Sequence, residues 1–533
     1  MKHSFLFVLF SLLIYSVTYA QYTNVLISNQ NSPEEVSICI NPKNTNIIVA
    51  GSNTLPTSSS GAYYYSTNGG LNWTGALLTC PLYGVWGDPL IMVDTMGYFY
   101  FFHLANNPGL PWPAIDRMVC QKSIDNGVNW SAGTYTGYNL PKLQDKEGAV
   151  VDRSNNYIYL TWTQFDSYVS NPPATDSSRI LFSKSTDGGA TWGATVRIDM
   201  LGGDCNDGDN TVEGAVPAVG PNGEVYVAWA GPIVRNSQYG IFFNKSTDYG
   251  QTWLANPINI ANQPGGWDIS VAGIGRANGM PVTVCDLSNG PYRGNIYINY
   301  LDSVSSGDHD IRLIKSTNGG LNWSSVERVN NDGTGKEQFL TWMAIDQMTG
   351  YLYFVFYDRR NYSNNNTDVY MARSTDGGET FTNLVVSSSP FLPSPSIFFG
   401  DYNGISAHAG KIRPIWTRLA SSSLSIWTAM VNEPLTGIEN NIVSIPSKYE
   451  LSQNYPNPFN PATNIKFQIP EAGFTTLKVY DILGNEVATL VSEKRDAGSY
   501  EANFSGERLS SGVYYYKLTS GSFTDTKKML MIK

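Results

Sequence analysis

An eight-residue pattern repeated six times constrains this chain more than any other feature. Ser-X-Asp-X-Gly-X-X-aromatic runs from Ser66 to Trp73, Ser123 to Trp130, Ser185 to Trp192, Ser246 to Trp253, Ser316 to Trp323 and Ser374 to Phe381, with Asn68 and Asn318 in place of Asp in two copies. Successive starts lie 57, 62, 61, 70 and 58 residues apart, so one supersecondary unit is repeated in series. The local chemistry is that of a β-turn. Ser and Asp/Asn side chains bond nearby backbone N–H groups, Gly supplies positive φ, and the aromatic begins the next buried segment.

The segments between turns read as four strands per unit. In the third unit these are Glu147–Asp152, Tyr157–Trp162, Ile180–Ser185 and Thr191–Ile198; in the fourth, Glu213–Val219, Glu224–Trp229, Gly240–Ser246 and Thr252–Ile260. Abundant Tyr (33), Gly (50) and Trp (13) with only 15% charged residues suits short strands and tight turns. Four antiparallel strands repeated in a circle make a β-propeller, which leaves only short, protected edges. After the sixth turn motif, Asp401–His408, Lys411–Thr417 and Leu424–Met430 give three strands, and Tyr22–Ser28 stands alone before the first unit. Joining these two ends builds a seventh blade and accounts for the missing seventh motif. The expected fold is therefore all-β: a seven-bladed propeller, with six blades as the alternative, followed by a small C-terminal β-sandwich. The repeated motif resembles the Asp box of sialidase-like β-propellers, over roughly residues 21 to 432.

Strand alternation puts the Asp-box turns on one face and the loops that lead into each first strand on the other. The boxes are structural, and function is expected on the opposite face, where the loops are long. A carboxylate stands at the start of the first strand in six of seven units: Glu35, Asp88, Glu147, Glu213, Glu337 and Asp401. The fifth unit offers Arg276 and Asn278 instead. First strands line the axis, so these groups should converge on the central mouth. Trp86, Trp112, Trp267, Tyr362, Phe398 and Tyr402 supply flat apolar faces for sugar rings. Arg359 and Arg360, following Asp358, suit carboxylate recognition. The structural reading of the same ring is that its acids are solvated or paired to Lys146, Lys336 and those arginines. A separate loop places Asp204, Asn206, Asp207, Asp209 and Glu213 within ten residues, hard oxygen ligands of the kind Ca²⁺ takes, though not at EF-hand spacing.

Both ends of the chain carry addressing signals. Lys2 and His3 precede an apolar run from Phe5 to Ile14, and Thr18 and Ala20 prepare a cut before Gln21, so residues 1–20 read as an export signal. That run is too short for a membrane anchor, and no later apolar stretch would hold the mature chain in a bilayer. Residues 433–450 read as a turn-rich linker and 451–533 as a β-sandwich, with strands Asn464–Ile469, Thr476–Tyr480, Glu486–Leu490, Gly498–Phe504, Gly512–Thr519 and Phe523–Ile532. Asn454-Tyr455-Pro456-Asn457-Pro458-Phe459-Asn460-Pro461, Leu477 to Gly484 and Leu509 to Tyr514 resemble the C-terminal sorting domain of type IX secretion cargo. That resemblance implies export across an outer membrane by way of the periplasm, then release or attachment at the cell surface. A net charge of −10 without any dense Lys/Arg stretch argues against nucleic acid. Cys39, Cys80, Cys120, Cys205 and Cys285 are scattered and read mainly as small core residues.

Resemblance to sialidase-like propellers admits exo-sialidases, other glycosidases and proteins without catalysis. A sialidase would carry Arg-Ile-Pro on its opening strand, and here that strand reads Glu35-Val36-Ser37-Ile38-Cys39-Ile40. Two readings follow. One is a secreted carbohydrate-active enzyme with acid/base candidates Asp88, Glu147, Glu213, Glu337 and Asp401 and binders Tyr402, Arg359 and Arg360. The other is a non-catalytic surface propeller that binds glycan or protein through the same face.

Overall fold

The computed structural model describes residues 22–55, 60–107, 109, 115–168, 176–305, 308–333, 335–433, 448–495, 498–507 and 509–533. The export signal read at 1–20, Trp112 and most of the segment read as linker lie outside them. The chain divides into two compact units, Met1–Leu435 and Thr436–Lys533. Among the described residues all regular structure is β, and no helix is long and apolar enough to cross a membrane.

Within the described residues the first unit contains seven small antiparallel sheets. Their innermost strands are Glu34–Ile40, Gly87–Val93, Leu143–Val151, Glu213–Val219, Val282–Cys285, Gln338–Asp346 and Gly404–His408. Each packs against the next in chain order, and the last packs against the first, so the sheets close into a ring. The closing sheet joins both ends of the unit: Asn24–Ser28 pairs antiparallel with Ser423–Ala429, Asn24 opposite Ala429. That is the pairing expected from the lone first strand.

The outer strands differ from expectation. In the third sheet the fourth strand is only Val196–Arg197, not Thr191–Ile198, and in the fourth sheet it is Ile258–Asn262. The Asp box itself delays the ladder. Asp187 Oδ1 accepts the backbone N–H groups of Ala190 and Thr191 at 3.1 and 2.9 Å, while Ser185 Oγ accepts that of Gly189 at 2.9 Å. Amides held by a side chain are not free to pair with a strand.

Each box also joins neighbouring sheets. Gly189 has φ +81°, and a Cβ there would meet Cys120 Sγ of the preceding sheet at 3.1 Å, so both backbone hand and space require glycine. Lys122, Lys184, Lys245 and Lys315, each directly before a box serine, donate to the carbonyls of Gly188, Tyr249, Gly319 and Gly377 in the next box. Box aromatics complete the seam, as where Trp253 meets Phe182 edge-on at 4.9 Å. All five cysteines are unpaired, four of them buried.

The ring encloses an axial cavity of about 230 Å³ whose walls come from all seven innermost strands. The second unit packs the three-stranded sheet of Glu450–Leu451, Ala462–Ile469 and Gly498–Ser505 against the four-stranded sheet of Glu486–Arg495, Gly473–Tyr480, Gly512–Ser520 and Phe523–Met531. Its core includes Phe467, Leu477, Val479, Tyr516 and Met529.

Candidate functional site

The innermost strands bulge where they start. The ladder slips between Glu34 and Val36, Gly87 and Leu90, Asp145 and Gly148, Glu213 and Val216, and Phe339 and Trp342. At these slips Glu35, Asp88, Lys146, Gly214 and Leu340 take φ of 46°, 55°, 49°, 71° and 48°. Four of the five are not glycine, and each such residue costs of order 1–3 kcal/mol that the surrounding structure must hold. A bulge re-aims the side chains around it. Here consecutive polar residues, Glu34 with Glu35 and Asp145 with Lys146 and Glu147, come to share one buried space.

Lys146 is the pivot of that space. Its Nζ lies 2.7 Å from Asp401 Oδ2, 3.0 Å from Asp88 Oδ2 and 3.9 Å from Glu35 Oε1. Arg276 grips Asp401 through Nε at 2.7 Å and through Nη2, and reaches Asp207 through Nη1 at 3.2 Å. Asn278 donates to the Asp401 carbonyl at 2.8 Å, and Asn53 bridges Glu35 to the Asp88 amide. Tyr168 donates to Asp145 at 3.0 Å. Lys146 and the carboxyls of Glu34, Glu35, Asp88, Asp145, Glu147, Glu213 and Asp401 are all buried, whereas Arg276 is 38% exposed.

With Asp207, eight carboxyls share two cations, so they cannot all ionise together. Burial pushes Asp401 up, but Lys146 and Arg276 outweigh it and hold Asp401 well below the usual carboxylate range. Burial likewise pulls Lys146 down, and Asp401, Asp88, Asp145 and Glu35 hold it well above its ordinary value. The other acids go the opposite way. Burial and then Asp88 raise Glu147 and Glu35 well above the usual range; burial, Asp207 and Asp145 do the same for Glu213. Burial, Asp88 and Asp401 bring Glu34 to about 8, and burial chiefly brings Asp145 to about 7. No hydrogen-bond donor reaches either oxygen of Glu147 or Glu213.

Asp88, Lys146, Glu147 and Tyr402 form the polar end of the axial cavity. Burial, Asp88 and Glu35 keep the Tyr402 phenol protonated, and its ring leans on Trp342 at 5.9 Å. Glu147, an acid that burial pushes well above its usual range, and the Tyr402 phenol therefore meet Asp88 and Lys146 around one small cavity. Such a set can donate a proton at one point and stabilise positive charge at another.

Asp88, Glu147, Glu213, Asp401 and Tyr402 thus come together, as does Arg276. Glu337 does not join them: it pairs with Arg359, accepts the Ala272 amide at 3.2 Å and lies 3.9 Å from His309 Nδ1. Asp358 and Arg360 satisfy each other at 2.7 Å, with Arg360 stacked over Tyr370. Trp267 is buried, and Trp86 is half-buried against the apolar core of the second and third sheets. The three loop acids turn to different partners: Asp204 to Asn206 and Thr211, Asp207 to Arg276, Asp209 to the Asp268 amide. Among the described residues no group of three His, Cys, Asp or Glu side chains is arranged to hold a metal ion. Glu34 and Asp145 were not singled out from sequence, and Lys146 was read only as a partner for the acids. The one signal for them was the run of adjacent charges at 34–35 and 145–147.

No curated protein matches the chain. Among solved structures it is similar to a PL25 ulvan lyase bound to -[GlcA(1-4)Rha3S]- (14% identity, TM-score 0.47, 77% of this chain and 96% of that one). It is similar also to the α-L-arabinofuranosidase Arb93A of Fusarium graminearum (13%, 0.42, 68% and 97%) and to the Trypanosoma rangeli sialidase (11%, 0.38, 83% and 83%). Residues 453–533 match the family described as the secretion system C-terminal sorting domain, so the chain carries a type IX sorting segment there.

Proposed function

We propose that this protein is an exported seven-bladed propeller acting on glycans as a glycoside hydrolase, with each of the seven sheets as one blade and Glu147 as the general acid. The observation that carries this reading is the Glu147 carboxyl: buried on the cavity wall beside Asp88 and Tyr402, both oxygens unpartnered, and pushed well above the usual carboxylate range by burial and then Asp88. A carboxylic acid that keeps its proton at neutral pH can give it to a glycosidic oxygen, while a nearby carboxylate supports the positive charge developing on the sugar. Asp88, on the same cavity wall as Glu147, is the carboxylate placed for that role. Substrate stacks on Phe398, which is exposed and lies under Arg276 at 5.3 Å. The leader at residues 1–20 and the sorting segment deliver the enzyme to the outside.

The test is a glycan array followed by a hydrolysis screen on the purified protein. Glu147→Gln should leave glycan binding intact and lower kcat by about 10²–10⁴-fold, the usual contribution of a general acid. One observation favours the rival reading of a non-catalytic glycan- or protein-binding surface: Glu35, Asp88 and Asp401 are already tied to Lys146. Binding without turnover that survives both Glu147→Gln and Glu213→Gln would decide for that rival.

A further inference from the structure

The axial cavity has a second end, on the face of the Asp-box turns. There the turn after Leu143–Val151 carries Arg153, which lines the axial cavity and two adjoining ones of about 180 and 250 Å³. Among the described residues, Arg153 is the one arginine of this unit without a hydrogen bond or ion pair. Arg117, Arg179, Arg197, Arg276, Arg312, Arg328, Arg359, Arg360 and Arg373 meet carboxylates, and Arg235, Arg293, Arg413 and Arg418 meet carbonyl or hydroxyl oxygens.

The acids close to Arg153 are engaged elsewhere. Asp346 accepts the amides of Met348, Ala409 and Gly410 at 2.9, 3.0 and 2.7 Å. Asp152 accepts from Ser154 and Asn155 at 2.7–3.0 Å. Gln347 is spent at both ends, on the Leu287 amide and the Cys285 carbonyl. His408, 9% exposed on the same wall, has an Nδ1 with no partner. The same wall carries the Thr283 hydroxyl, which has no partner, and Ser406, beside the apolar Met92, Val150, Pro217, Val284, Ile345 and Ala407. Arg153 itself is exposed, so its guanidinium is open to a ligand arriving from solvent while it lines the cavity.

We propose that this end of the channel binds a small organic carboxylate, its two oxygens on the Arg153 guanidinium and its hydrocarbon part against the apolar wall. The planar fork of arginine matches a carboxylate in two parallel hydrogen bonds. Sulfate or phosphate would bring no hydrocarbon part to cover the Met92, Val150 and Ile345 side chains. The site is separate from the acid cluster at the other end and does not depend on the protein being a hydrolase.

The experiment is calorimetric titration of the full chain with butyrate, and in parallel with butanol, butylamine, sulfate and phosphate. Saturable butyrate binding is expected, weakened at least about tenfold in Arg153→Gln by loss of a charge-assisted pair, partly kept in Arg153→Lys, and unchanged in Glu147→Gln. Equal binding of butanol to the parent protein, stronger binding of sulfate or phosphate than of butyrate, or no saturable butyrate binding would each overturn the proposal. So would an Arg153→Gln variant that unfolds at the parent's temperature and still binds butyrate at parent strength. The butanol comparison uses only the parent chain and so stands even where a variant fails to fold.

Discussion

The two faces of the ring use the same functional group in opposite ways. In the box turn, the exposed Asp187 carboxylate accepts two backbone amides and the Ser185 and Thr191 hydroxyls, and although burial pushes upward, these bonds hold its pKa down to about 2. At the axial mouth, Glu147 and Glu213 are buried, have unpartnered oxygens and face other acids, so burial and those acids push both well above the usual carboxylate range. Donors and water, not the presence of a carboxyl, decide between a turn staple and an acid able to release a proton. The experiments below try to break that contrast.

Lys146→Met attacks the mouth and should have the largest effect on stability. It removes the ammonium shared by Asp401, Asp88 and Glu35 and leaves buried carboxylates unanswered, a loss of about 3–5 kcal/mol. The pH dependence has a definite sign. Asp401, with a depressed pKa, contributes stability that is present above its unfolded pKa and lost as pH falls through the folded value. Lys146, with a raised pKa, contributes below its unfolded value. Both contributions are present at pH 7, so urea unfolding there should show the full deficit, narrowing in acid as Asp401 takes up a proton in the variant. A deficit under about 1 kcal/mol at pH 7 would mean that Lys146 is not the pivot.

Glu213→Gln tests the other half of the mouth, with a smaller effect of opposite direction. A carboxyl held protonated in the fold but ionised in the unfolded chain binds more protons when folded, so stability falls as pH rises above about 4.3, the ordinary glutamate value. The amide cannot ionise and escapes that loss. The variant should match the parent near pH 4 and exceed it at pH 8. A variant less stable than the parent at pH 8 would show that Glu213 is ionised and answered in the native protein.

What was legible from sequence follows the same division. The boxes are local: each serine, aspartate and glycine acts within five residues, so the pattern named the turn, the repeat and the face. Convergence of Glu35, Asp88, Glu147, Glu213 and Asp401 also followed, because the start of each first strand must approach the axis. Glu337 leaves the group because it lies ahead of its strand's bulge, where Leu340 takes the place of Glu35, Asp88 and Lys146, and Arg359 and the Ala272 amide capture it. Glu34 and Asp145 stayed hidden, and Lys146 was read only as a partner for the acids, because strand alternation sends neighbours to opposite sides, whereas the bulges fold them into one space. Nothing in their residue types announces positive φ, which falls on Glu35, Asp88 and Lys146 rather than on glycine. The inter-sheet lysines were visible as Lys-Ser at four boxes, but their partner carbonyls lie 65 or more residues away except in one seam of 62.

Asp187→Ala and Asp187→Asn sharpen the contrast at its weak end. Alanine removes the acceptor for the Ala190 and Thr191 amides and should cost about 1 kcal/mol, the scale of a lost side-chain cap. Asparagine should cost no more than about 0.5 kcal/mol, because Asn68 and Asn318 already serve this position, accepting the Asn72 and Asn322 amides at 3.0 and 2.9 Å. Charge matters only in acid. The depressed Asp187 pKa adds stability present above its unfolded value and lost as pH falls through about 2, a loss that Asp187→Asn cannot show. Urea midpoints for parent and Asn variant should therefore lie close together at pH 7, and below pH 4 the parent's should fall relative to the Asn variant's. If Asp187→Asn costs at pH 7 as much as Asp187→Ala, the box depends on charge as the mouth does, and the two faces are not the opposites described above.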